Sequence, residues 1–198
     1  PAPTQEDSAP LVRQKSTLLL PKATPVQLKP LSTQKKQQVE AFDEVQDEAN
    51  TPIQIGLKRD VPQLKSRALT AKSLEWAPTA TGGKVTAISI TSPDALGLRI
   101  GMRVKSLPSS ATLRFYAQEA KTPLEVHATQ VLQTLADNLA AGDVSEQAKI
   151  FWSPPVVGEE TSLEIELPVG VSTDDVQLCL PNLSHLYFDR VASQMKSF

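Results

Sequence analysis

The spacing of apolar residues along the chain changes twice, and each change marks a different kind of element. Between residues 32 and 49, Val39, Phe42, Val45 and Ala49 recur every three or four positions among Lys, Gln and Glu. That is the spacing of one apolar stripe on a short amphipathic helix, with Ser32 or Thr33 placed to cap it. From Pro52 onward the period shortens to two. Ile53, Ile55 and Leu57 alternate with Gln54 and Gly56, as on a half-buried strand. Further strands are predicted at Lys84–Thr91, Leu96–Met102, Ala111–Ala117, Ala148–Trp152, Ser162–Leu167 and Asp175–Leu180, with Gly82-Gly83 turning the chain between the Leu74-Glu75-Trp76 segment and Lys84. Pro93, Pro108, Pro154-Pro155, Pro168 and Pro181 separate these runs. One segment departs from the rhythm. Across residues 126–141, Val131, Leu132, Leu135 and Leu139 fall on one helical face, and Gly142 supplies the stop.

Short strands with one helix ahead of them and one inserted predict a mainly β fold, a β-sandwich or jelly-roll-like body. Residues 1–31 stand apart from it. Six of the sixteen prolines lie in the first thirty residues, among Thr, Gln, Ser and Lys, so this stretch is expected to be an extended arm. Leu18, Leu19, Leu20, Val26 and Leu28 could lay it across a surface. The sandwich is expected over residues 32–187, with helices near 32–49 and 126–141, and residues 188–198 form a C-terminal linker. No internal repeat is evident.

Composition narrows the class. The 198 residues are 40% apolar and 21% charged, the balance of a soluble globular chain. A net charge of -2 provides no basic face for nucleic acid. No apolar run approaches the roughly 18 residues that span a bilayer, so no membrane insertion is expected. Pro1 opens directly into polar sequence, so a signal peptide, if the chain is exported, is expected to have been removed already. Cys179 is the only cysteine. An internal disulfide is therefore excluded, and its Val-Gln-Leu-Cys-Leu setting suits a small buried hydrophobe.

Reactive groups are sparse. A nucleophilic hydrolase needs Ser or Cys beside a base that a third group orients. The two histidines, His127 and His185, lie 58 positions apart, and no serine occupies a Gly-x-Ser-x-Gly turn. Zinc-ligand spacing is absent. Glu159-Glu160 with Glu164 and Glu166 looks like a carboxylate cluster, but Glu164 and Glu166 alternate with Leu163, Ile165 and Leu167, which predicts a solvated strand face. Gly82-Gly83 and Gly97 to Gly101 lack the strand–turn–helix setting of a phosphate loop. Asn182-Leu183-Ser184 matches a glycosylation acceptor. No catalytic, cofactor or metal residue is assigned.

Six stretches in a fixed order resemble a known family. They are Gly56-Leu57-Lys58-Arg59-Asp60-Val61-Pro62; Ser92-Pro93-Asp94-Ala95-Leu96-Gly97-Leu98-Arg99-Ile100-Gly101-Met102; Leu107-Pro108 through Leu113-Arg114-Phe115-Tyr116; Phe151-Trp152-Ser153-Pro154-Pro155-Val156-Val157-Gly158-Glu159-Glu160; Leu163 through Pro168; and Leu183-Ser184-His185-Leu186. This order resembles the pro-region of bacterial lysyl endopeptidases, secreted trypsin-like serine proteases that include the protease IV type. The resemblance spans roughly residues 53–187, about two-thirds of the chain. It implies a propeptide that assists folding of the protease, keeps it silent during export through the periplasm, and is cut away outside the cell. The catalytic Ser, His and Asp of such precursors belong to the protease domain, and none maps onto this chain.

The implied partner is the cognate serine protease domain, first in cis and then as a non-covalent complex, with secretion machinery as a further contact. Lys196-Ser197 offers a processing site to a lysine-specific protease, although the chain ends two residues later at Phe198. His185, Leu186, Tyr187 and Phe188 form the candidate protease-contacting tail, because the chain must pass through them to reach whatever follows. Two rivals remain. A β-sandwich binding module for glycan, cell envelope or secretion machinery would show an aromatic platform, for which Trp76, Trp152, Tyr116 and Tyr187 are the available residues. A stand-alone interaction protein would lack any protease sequence downstream.

Overall fold

A computed structural model describes residues 22–35, 37, 56–117, 120, 122–143 and 145–187. Eleven strands are found among them: β1 (Thr24–Gln27), β2 (Gly56–Asp60), β3 (Ala77–Pro78), β4 (Lys84–Thr91), β5 (Gly97–Ser106), β6 (Thr112–Tyr116), β7 (Leu124–His127), β8 (Phe151–Trp152), β9 (Val156–Val157), β10 (Glu160–Leu167) and β11 (Gln177–Leu186). Helix α1 (Arg67–Ser73) lies between β2 and β3, and α2 (Ala128–Ala140) follows β7 directly. The first sheet runs β1-β4-β10-β6-β7, with β3 sharing β4's edge with β1; the second runs β2-β11-β5-β8, with β9 beside β8 on the edge of β5. Every pairing is antiparallel except β1 with β4. The mainly β sandwich inferred from the alternating pattern is the fold.

Strand alternation explains the core. Leu163 of β10 stands in register with Ile88 of β4 and Phe115 of β6, Ile165 with Leu113 of β6, and Leu167 extends the same face, all buried. From the second sheet, Leu98, Ile100 and Met102 of β5 and Leu178, Leu180 and Leu183 of β11 complete a single cluster. Leu180 and Leu183 are three residues apart, which a regular strand would place on opposite faces. A register shift between Cys179 and Asn182 returns both to the core. Pro181, expected to end the strand, sits inside this irregularity, where its missing N–H disturbs no regular ladder. Its carbonyl accepts from Val61 N at 2.9 Å.

The edge of β5 shows the same logic. Pro154-Pro155 interrupts pairing between β8 and β9, and Ser153 repairs the gap. Its Oγ accepts from Ile100 N at 2.8 Å and donates to the Pro154 carbonyl, while its own N donates to Ile100 O at 2.9 Å. Opposite Trp152 stands Gly101, where a Cβ would approach the indole to 3.0 Å. The ring therefore lies against bare backbone.

Several elements differ from the sequence reading. The arm contributes β1, whose Val26, with the neighbouring Leu28, is buried against the sandwich. The inserted helix is shorter at its start because Leu124–His127 pairs with β6 as a strand first. His127 N donates to Gln130 Oε1 at 2.9 Å to open α2, and Gly142 at φ 80° closes it. Helix α1 carries no apolar period, and its one buried residue, Thr70, hydrogen-bonds the Leu64 carbonyl. Of the helix expected at 32–49, residues 33–35 and 37 are helical and Ser32 Oγ accepts from Lys35 N at 3.4 Å; the rest lies outside the described residues.

Candidate functional surface

Four of the six stretches quoted above fold into one sheet: β2, β5, β8 with β9, and β11 form the second layer of the sandwich. They converge at the end where β11 finishes. Leu186 O accepts from Leu96 N at 2.9 Å, and Gly158 N donates to Leu96 O at the same distance. The loop between β4 and β5 and the turn between β9 and β10 are thereby clasped beside the last residues of β11. Glu159 tightens the clasp: its carbonyl accepts from Ser92 N, and its carboxylate accepts from Asp94 N, both at 2.8 Å. Asp94 sits at φ 66°, a left-handed conformation that short polar side chains tolerate best.

Beneath the clasp lies a partly buried polar chain. Arg59 of β2 donates from one guanidinium nitrogen to Ser92 Oγ at 2.6 Å and from another to the Lys29 carbonyl. Ser92 Oγ lies 2.8 Å from His185 Nδ1. A guanidinium can only donate, so Ser92 Oγ accepts from Arg59, and the direction of its bond with His185 Nδ1 follows the imidazole tautomer. Burial holds the Arg59 pKa below its usual value. This is a serine–histidine contact, yet Ser92 is 0% and His185 1% exposed. The chain works as a brace that ties the arm, β2, the end of β4 and β11 together. Sequence reasoning had no means to pair residues 92 and 185, which share no local spacing.

The outer face of the first sheet carries the second polar cluster. Arg114 of β6 donates to Glu125 of β7 at 2.9 Å and to Glu164 and Glu166 of β10 at 2.8 and 2.6 Å. Tyr116 donates to the second oxygen of Glu164 at 3.1 Å. Glu164 is 4% exposed, so the solvated face expected for Glu164 and Glu166 is instead a largely buried ion network. The alternation was read correctly; the covering cation comes from the neighbouring strand. Burial pulls the Arg114 pKa down, but the hydrogen bonds to Glu164, Glu166 and Glu125 outweigh it and hold the guanidinium above its usual value. Burial, reinforced by the Glu164 charge, pushes the Tyr116 phenol up. An open depression of about 460 Å³ adjoins this network, lined by Arg114, Glu125, His127 and Glu166 with Pro168 and Val169. Among the described residues no group of three His, Cys, Asp or Glu could hold a metal ion.

The residues singled out from sequence fall as follows. His185 and Leu186 are buried within β11, so contact with a partner along this tail would have to begin at Tyr187, which is half-buried. Phe188, Lys196 and Ser197 lie outside the described residues. Asn182 of the glycosylation match is buried, with its amide donating to Asp60 at 3.0 Å. Cys179 is a buried free thiol whose pKa burial raises. Exposed Leu96 and Val157, at 46% and 56%, were not singled out; only the fold brings them side by side.

A two-sheet sandwich whose shared motifs build one sheet and its end clasp defines a domain class rather than an isolated site. The sequence profile of the Lysyl endopeptidase N-terminal domain matches residues 27–187, and the chain belongs to that family. A lysyl endopeptidase from Pseudomonas aeruginosa is 28% identical over 141 residues, covering 68% of this chain but only 26% of that protein. The chain thus corresponds to about a quarter of that relative's length. No solved structure matches it.

Proposed function

We propose that this domain is the propeptide of a secreted, lysine-specific, trypsin-like serine protease, acting in cis as a folding chaperone and afterwards as an inhibitor until it is processed outside the cell. The family match over residues 27–187 carries the reading. The structure is compatible with it: the serine–histidine contact is buried, and Arg114 ties Glu125, Glu164 and Glu166 into one ion network. Binding supplies shape, and the chemistry belongs to the partner.

The physical case rests on topology. Trypsin-like proteases are built from non-local strand pairings, which fold slowly. A tethered domain that binds the folding transition state better than the unfolded chain accelerates the process about tenfold for each ~1.4 kcal/mol of preference. Continued binding across the substrate cleft would inhibit, and an interface of about 1,600 Å² is ordinary for protease inhibitors. Three of the four aromatic residues named for the rival glycan-binding reading are engaged within the fold: Trp152 packs on Gly101, Trp76 against the core, and Tyr116 donates to Glu164.

The test is refolding. The catalytic domain, diluted from denaturant alone, joined to this chain, or mixed with it, should recover activity only in the last two cases. Micromolar chain should also inhibit the mature enzyme. Equal recovery without the chain, together with no inhibition, rejects the proposal.

A further inference from the structure

Resting on that reading, we infer that the docking surface for the catalytic domain is the patch formed by Leu96 and Val157 at the end of the second sheet. Three observations lead there. First, both side chains are about half exposed, and they are neighbours: Gly97 pairs with Val157, and Leu96 O accepts from Gly158 N. Leu124, Leu139 and Val169, the other large exposed apolar residues described, belong to β7, α2 and the turn after β10.

Second, the patch is held rigidly. Glu159 clasps Ser92 and Asp94 from one side, and Ser92 is itself braced by Arg59 and His185 from below. Side chains presented on a fixed frame lose little freedom on binding, so more of their burial appears as affinity. Asp94 in the left-handed region shows that the frame holds a conformation with a local cost, which is where functional loops concentrate.

Third, the patch adjoins the chain's way out. Leu186 O, at the end of β11, is the acceptor for Leu96 N, so whatever follows Tyr187 starts next to it. A partner tethered there meets this surface at the effective concentration that its tether sets, rather than by free encounter. That continuity selects the catalytic domain of the same precursor as the occupant, presenting an apolar surface to Leu96 and Val157.

The experiment uses the full chain in trans and the precursor in cis. Leu96→Lys with Val157→Lys should raise the inhibition constant against the mature protease at least tenfold and lower the yield of active enzyme on refolding. Leu139→Lys on α2 should change neither. If the double variant is itself destabilised, Leu96→Ser with Val157→Thr takes its place. A photo-crosslinking residue at position 157 of the precursor should attach to the catalytic domain, and one at position 139 should not. Wild-type inhibition that the double variants preserve, or crosslinking at 139 and not at 157, overturns this surface while leaving the propeptide reading intact. A wild-type chain that neither inhibits nor assists refolding overturns both.

Discussion

At the scale of single residues, the sharpest expectation concerns Ser92. It serves a guanidinium and an imidazole at once, with no water-exposed alternative. Ser92→Ala takes a hydrogen bond from the buried His185 and from the half-buried Arg59, which costs about 1–3 kcal/mol. A urea midpoint should fall accordingly, while the exposed Ser109→Ala stays within about 0.5 kcal/mol of the parent; equal midpoints would refute the brace. Arg114→Met strands Glu164 and Glu125 without their cation and should cost about 3 kcal/mol or more. Adding Glu164→Gln to that variant should recover part of the loss, and a double variant less stable than Arg114→Met would contradict the network. Tyr116 gives the pH counterpart. Its folded pKa lies above the unfolded value of 10.0, so between the two the native state holds the extra proton. Stability from this group is whole below about pH 10 and declines as pH rises beyond it. Ultraviolet titration of the native protein should show one tyrosine ionising well after the usual range.

Among the elements, β1 shows what local pattern can and cannot reveal. Val26 and Leu28 were visible as apolar residues in a proline-rich arm, but Pro21, Pro25 and Pro30 disguise a strand that exists only because β4 offers it a parallel edge. Leu28→Ala should destabilise the sandwich by about 2 kcal/mol or more, measured by the denaturation midpoint; no change would mean that the arm merely rests on the surface. Helix α1 was invisible for a related reason, since a serine cap and packing against β11 hold it rather than an apolar stripe. By contrast β4, β5, β6 and β10 alternate strongly, and Gly82-Gly83 marks its turn. Pro181 misled because the rule that proline ends a strand has an exception at an irregular register, and nothing local announces one. Among the functional residues, His185 stood out by type, but its partner was 93 positions away. Leu96 and Val157 carried no signal at all, because exposure of an apolar side chain is a property of the finished fold.

For the whole molecule, the placing of β11 governs cooperativity. It lies between β2 and β5, supplies Leu178, Leu180 and Leu183 to the common core, and holds His185 for the brace. A chain ending before Gln177 lacks the centre of one sheet, not a dispensable edge. It should show no cooperative thermal transition, whereas the complete domain should; a sharp transition in the truncated chain would show that the first sheet folds on its own.

That placing also sets a timetable. A polypeptide leaves the ribosome amino end first, and the strand that closes this sandwich comes last of the eleven described. Until residue 186 is free, the second layer has a gap at its middle and its greasy interior stays open to solvent. The hydrogen bond from Leu96 N to Leu186 O is accordingly among the last contacts to close.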